Sequence, residues 1–168
     1  MKKFISLLLV VLMVITMAGC SKKEDKVEYT SYTVDNLTLQ IPSSYQMTKE
    51  DDEEYKLYMY TDEFAVIAFN ETFEELKTYG ITDDELNLKD YSDLVIQLYG
   101  SNVIEDETKG NTRTITYAEE IEGQKFYYMT AYTELNQEFW SVTYFCLGEK
   151  QATYDPLFRT WLQKISFK

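Results

Sequence analysis

The chain has 168 residues, with 29 acidic against 16 basic side chains, a formal net charge of −13 and no histidine. That balance excludes nucleic acid as a partner, because phosphates require a basic face. The missing imidazole removes Ser-His-Asp and Cys-His catalysis and the commonest zinc sites, and the 6 glycines are isolated from one another, so neither a P-loop nor a dinucleotide fingerprint can be written.

Met1-Lys2-Lys3 is followed by an apolar run from Phe4 to Ala18, broken only by Ser6 and Thr16, and then by Gly19-Cys20. This is the layout of an export signal, and the run falls short of the roughly 18 apolar residues that a membrane-spanning helix needs. Met17-Ala18-Gly19-Cys20 resembles the lipobox of bacterial lipoproteins, with Met17 where leucine is commoner. The resemblance implies cleavage of a signal peptide over 1–19 and diacylation of Cys20, for example by palmitate. Two acyl chains, at about 0.8 kcal/mol per buried CH₂, give stable anchoring. The polar stretch after Cys20 reads as a lipidated flexible tether over 20–30, leaving 31–168 as a single domain. With Cys20 acylated, Cys146 stands alone, so no intrachain disulfide or paired-thiolate metal site is expected.

Val34, Leu37, Leu39 and Ile41 predict two short strands around Asp35-Asn36, stopped by Pro42. Tyr55–Tyr60 and Phe64–Phe69 read as a hairpin over Thr61-Asp62-Glu63. Glu71–Tyr79 is a short helix before Gly80, and Leu88, Tyr91, Val95 and Leu98 recur at near-helical spacing before Gly100. A strand over Asn102–Glu107 and three longer ones over Thr112–Ile121, Lys125–Leu135 and Glu138–Leu147 form an antiparallel meander, with hairpin-length separators at Glu122-Gly123-Gln124 and Asn136-Gln137. Asp155-Pro156 is a helix start with a capping carboxylate and Pro at the first helical position, and Leu157, Trp161 and Ile165 mark its buried face.

Strands, helices, a meander and a closing helix give an α+β domain with helices packed on an antiparallel sheet. The opening Leu37-Thr38-Leu39-Gln40-Ile41-Pro42 with Tyr45, and the closing stretch from Tyr154 to Phe167, resemble the Mog1/PsbP-like fold, an α/β/α sandwich. Tyr45 stands where tryptophan is more usual. The resemblance implies a binding or assembly role with no shared active site, so it carries no catalytic residues.

Glu50-Asp51-Asp52-Glu53-Glu54 is the densest acidic run, but it lacks the glycine and ligand spacing of a calcium loop and reads as a solvated loop. Asp83-Asp84-Glu85 fits a helix N-terminus. No enzyme, cofactor or metal is implied. The 15 tyrosines suit strands, and also suit interfaces, where an aromatic ring with a hydroxyl handle is useful. In Phe126-Tyr127-Tyr128-Met129-Thr130-Ala131-Tyr132 aromatics occupy both parities, so helix cover on one face predicts tyrosines exposed on the other. Tyr127 and Tyr144 are the residues expected to line such a binding face. The expected protein is a non-enzymatic binding or interaction module held by its lipid on the extracytoplasmic side of the cell membrane, recognising an envelope protein or a small ligand. The alternative is an assembly factor for a membrane complex, and a carboxylate-based hydrolase ranks below both.

Overall fold

The computed structural model describes residues 26–81, 86–99 and 102–168. Among these residues ten strands and three α-helices run in the order β1 (Tyr29–Val34), β2 (Leu37–Pro42), β3 (Thr48–Glu50), β4 (Leu57–Tyr60), β5 (Phe64–Thr72), α1 (Phe73–Thr78), α2 (Leu88–Tyr99), β6 (Asn102–Lys109), β7 (Thr112–Ile121), β8 (Gln124–Leu135), β9 (Glu138–Leu147), α3 (Gln151–Leu162) and β10 (Ser166–Phe167). No helix among the described residues is long and apolar enough to cross a membrane.

The large sheet has seven strands in the order β3-β4-β5-β9-β8-β7-β6, and β1-β2-β10 form a separate three-stranded sheet. Each registered pair in both sheets is antiparallel, as the alternating pattern and short turns require. The β7–β8 and β8–β9 connections are two residues each, with Glu122, Gly123, Asn136 and Gln137 all at positive φ. That geometry matches the twist of the paired strands. β6 is exposed along its whole length and carries Glu105, Asp106, Glu107 and Lys109, charges that discourage another chain from adding to this sheet edge.

One face of the large sheet is covered by α3 and the small sheet. Leu37, Leu39 and Ile41 of β2 meet Met59, Val66, Met129, Trp140 and Val142, with Phe158 and Trp161 of α3 closing the same core. The opposite face carries α1 and α2, whose Leu76 and Tyr91 cluster with Ile115, Tyr132 and Phe139. Helices thus flank both sides of an antiparallel sheet, as expected, with the small sheet added beside α3.

Local chemistry sets the elements' ends. The six-residue α1 is too short to stand on propensity alone and begins with a capping box: Glu75 N–H donates to Thr72 Oγ1 at 3.1 Å and Thr72 N–H donates to Glu75 Oε2 at 2.8 Å. α3 departs from expectation. It follows a 3₁₀ turn over Gly148–Lys150 and has no side-chain cap, and Asp155 and Pro156 lie inside it. Asp155 does not cap the helix because its carboxylate is taken by Arg159, at 2.9 Å from Nε, and by the Tyr127 hydroxyl. The buried stripe is Tyr154, Phe158 and Trp161, while Leu157 is half-buried and Ile165 falls beyond the helix end.

Candidate functional site: an aromatic face on the large sheet

Tyr127 and Tyr144 do not form an exposed face. They are 1% and 0% exposed and point toward α3, where the Tyr127 hydroxyl donates to Asp155 at 2.5 Å and Tyr144 stacks on Phe158 with centroids 5.3 Å apart. Their parity in β8 and β9 matches that of Met129 and Val142, so they belong to the core. Burial pushes both phenols above their ordinary range, with Asp155 adding to the effect at Tyr127. The Tyr144 hydroxyl has no hydrogen-bond partner among the described residues. Tyr144→Phe is therefore expected to stabilise the domain by about 0.5–1 kcal/mol, because it removes an unsatisfied buried hydroxyl at constant ring volume. A fall in melting temperature would show that the hydroxyl has a partner.

Cys146, 2% exposed on the same side, has its thiol pushed up to about 11 by burial, which makes it a packing residue rather than a nucleophile. Cys20 and Asp83-Asp84-Glu85 lie outside the described residues, as does the side chain of Leu98. Asp51–Glu54 form an exposed loop after β3, where Asp52 accepts the Glu54 backbone N–H at 2.7 Å.

The opposite parity builds a different surface. The α1/α2 layer sits over Ile115, Tyr132 and Phe139, toward one end of the strands. Toward the other end, cross-strand registers align Tyr60, Ala65, Phe145, Tyr128, Tyr117 and Val103 in one row across β4, β5, β9, β8, β7 and β6. Tyr117 and Tyr128 stack at 4.8 Å with planes 6° apart, and Tyr128 stacks on Phe145 at 5.5 Å. Phe126 lies 6.3 Å from Tyr128, and Tyr58 lies 5.6 Å from Tyr60 at the far end of the row. The six rings are half-buried, and Val103 and Ile104 at the β6 end are 45% and 52% exposed. A contiguous, partly accessible aromatic patch of this kind marks an interaction surface more often than a scatter of single apolar residues does.

Acids border the patch. Glu50 lies opposite Tyr58 across the β3–β4 ladder, and Glu119 lies opposite Phe126 across the β7–β8 ladder. Partial burial, followed by Glu119 and the neighbouring tyrosines, pushes the Tyr128 hydroxyl up to about 12. Tyr58 is raised by burial first, and then by Glu50, Tyr60 and Asp52. Both phenols stay protonated at neutral pH and can donate hydrogen bonds. The positions aligned with the row and with its two bordering acids carry no lysine or arginine among the described residues, so the surface combines ring faces with carboxylates at its border. That pairing favours guanidinium and ammonium groups, which stack on aromatic rings and pair with carboxylates. Sequence alternation signals that one parity is exposed, but only the docking of α3 decides which.

Neither a protein-family model nor a curated protein sequence matches the chain. Solved structures do. The Saccharomyces cerevisiae Ran-binding protein Mog1p aligns with a TM-score of 0.57 at 11% identity, over 84% of this chain and 96% of that one. A point mutant of Mog1 aligns at 0.56 and 11% identity, over 83% and 96% of the two chains. The fold is Mog1-like. Cyanobacterial PsbP from Synechocystis aligns at 0.48 and 13% identity, over 89% and 98%. The likeness to the two Mog1 structures concerns the fold, which is the α+β arrangement expected from the Leu37–Pro42 and Tyr154–Phe167 segments, and at 11% identity it transfers no site residue.

Proposed function

We infer that the chain is a lipid-anchored, non-enzymatic interaction module on the extracytoplasmic side of the cell membrane, which takes a basic surface of a partner protein on its aromatic face. The observation that carries the reading is the half-buried ring row with acids on its border and no cation among the aligned positions. Mog1p, described as Ran-binding, shows that a domain of this fold can serve as a protein-binding module. Anchoring rests on the basic Lys2-Lys3, the apolar run and the Met17-Ala18-Gly19-Cys20 lipobox, and the tether expected over 20–30 gives way to the domain at β1, which begins at Tyr29. Cleavage of 1–19 removes Lys2 and Lys3 and takes the formal charge from −13 to −15, which repels an anionic bilayer, so the domain would stand away from the membrane with its ring row open to a partner. A flat aromatic patch suits protein assembly better than ligand enclosure, which connects this reading with an assembly-factor role.

The test is crosslinking and capture of the full-length protein from its native membrane. Tyr117→Ala combined with Tyr128→Ala should weaken retention of the partner at least about tenfold, since central aromatic residues dominate interface energies. Raising the salt concentration should slow association, because the acidic border contributes by steering. A Cys20→Ala control should lose partners that require lipid anchoring. An unchanged partner list and unchanged retention in the double tyrosine variant would end the aromatic-face reading.

A further inference from the structure

We propose that a second site, a cleft of about 590 Å³ between the C-terminal end of α3, β10 and the β6–β8 side of the large sheet, binds a neutral carbohydrate. The cleft exists because of where the chain goes after α3. β10 pairs with β2, through Ser166↔Thr38 and Phe167↔Leu37, and so stands beside the β7–β8 floor instead of lying on it. This leaves the end of the α3-facing surface unfilled.

The floor departs from the apolar pattern of the rest of that face. The positions that continue the parity of Tyr127 and Met129 are Ala131 and Thr133 in β8, aligned with Thr114 and Thr112 in β7. Thr133 is 5% exposed and shares a 3.1 Å hydroxyl–hydroxyl contact with Thr112. Thr114, Gln163 and Ser166 line the same space and make no side-chain hydrogen bond among the described residues. Facing them, Leu162, Ile165 and Phe167 supply an apolar wall.

Charge selects against ions. Two cations at the cleft, Lys109 and Arg159, are matched by three acids: Glu107 lies 2.9 Å from Lys109, and Asp155 and Glu105 hold Arg159. A phosphate or carboxylate would enter a net negative setting, and a cation would find each acid already paired. An acyl chain would cover the wall but strand the hydroxyl and amide groups of the floor, which costs binding free energy for every group left unpaired. A sugar ring meets both demands, because its C–H face packs on apolar side chains while its hydroxyls donate to and accept from threonine, serine and glutamine. The volume lies within the usual range for small-ligand sites, about 300–1,000 Å³, and leaves room for more than one ring.

The experiment uses the full-length protein in micelles of a non-glycosidic detergent. Maltotriose, cellotriose and triacetylchitotriose are titrated by calorimetry and by saturation-transfer NMR, with glucose 6-phosphate and laurate as charged and acyl comparisons. At least one trisaccharide should bind with an affinity insensitive to salt, and Thr114→Val and Gln163→Ala should each weaken it about tenfold while melting with the parent protein. If Thr114→Val unfolds, Gln163→Ala at the more exposed position decides the point. The proposal is overturned if no trisaccharide binds at about 10 mM, if both variants bind as the parent does, or if only the phosphate or the laurate binds. Because the cleft and the aromatic row lie on opposite faces of the sheet, loss of one activity leaves the other measurable.

Discussion

Trp161→Ala is expected to destabilise the domain by about 3–5 kcal/mol, the range for removing a fully buried large aromatic side chain. Trp161 is 1% exposed and its ring lies 5.1 Å from Phe64, 5.3 Å from Tyr45, 5.6 Å from Phe158 and 5.7 Å from Tyr144. Those partners come from the loop after β2, from β5, from β9 and from α3 itself, so the indole fastens the closing helix to three separated parts of the chain. The cavity cannot close by a local shift, because two of the surrounding rings, Phe64 and Tyr144, are held by paired strands in register. Domains of this size carry about 5–15 kcal/mol in total, and each lost kcal/mol lowers the melting temperature by about 3–4 °C. A drop of about 9–20 °C is expected in thermal melts followed by far-UV circular dichroism. Val103→Ala on the exposed edge strand should stay within about 0.5 kcal/mol of the parent protein. A Trp161→Ala protein melting within about 3 °C of the parent would mean that α3 does not close the core as described.

Elements with a strong local signal were legible in the sequence, and those made by distant pairing were not. The meander from Asn102 to Leu147 follows from period-two alternation and turns that only a few residue types tolerate. β3 was missed because Thr48, Lys49 and Glu50 are all exposed and carry no apolar signal, and β10 was missed because two residues become a strand only when β2 lies beside them. The start of α3 was misplaced because Asp155-Pro156 has the chemistry of a helix start. In the fold that aspartate is worth more as a partner for Arg159 and Tyr127 than as a cap.

The candidate site was half legible for a related reason. Tyr127 and Tyr128 are adjacent, so they necessarily point to opposite faces, and local sequence ranks them equally. The choice between them is made by Tyr154, Phe158 and Trp161, which bring α3 onto the Tyr127 side and leave Tyr128 with Tyr117 and Phe145 on the other. The cleft is less visible still. Thr112, Thr114 and Thr133 look like ordinary strand residues until the path of the chain beyond Leu162 shows that they line a cleft.

Arg113 illustrates the same limit and carries the other large expected effect. Nothing in the sequence singles it out, yet its side chain is 7% exposed beneath α2. Its Nε and Nη2 donate to the two Asp106 oxygens at 2.9 and 2.6 Å, and its Nη1 donates to Asp93 at 2.6 Å and to Ser92 Oγ at 2.7 Å. The fork therefore ties α2 to β6 and β7. Arg113→Ala should cost about 3 kcal/mol, the low end for breaking a buried ion pair, because both aspartates are 43% exposed and regain water. Arg113→Lys should recover only part of that, since an ammonium cannot reproduce the two-pronged contact with Asp106. Arg113 holds the Asp106 carboxyl below its usual range, and Lys89 followed by Arg113 does the same for Asp93. A depressed carboxylate pKa contributes stability that is complete above the unfolded value of about 4 and is lost as pH falls through the lower folded value. The difference in melting temperature between the parent protein and Arg113→Ala should accordingly be full at neutral pH and shrink steadily below about pH 4. Melts at a series of pH values test this directly. A gap that stays constant down to about pH 2 would show that Arg113 acts through packing alone, not through its two carboxylates.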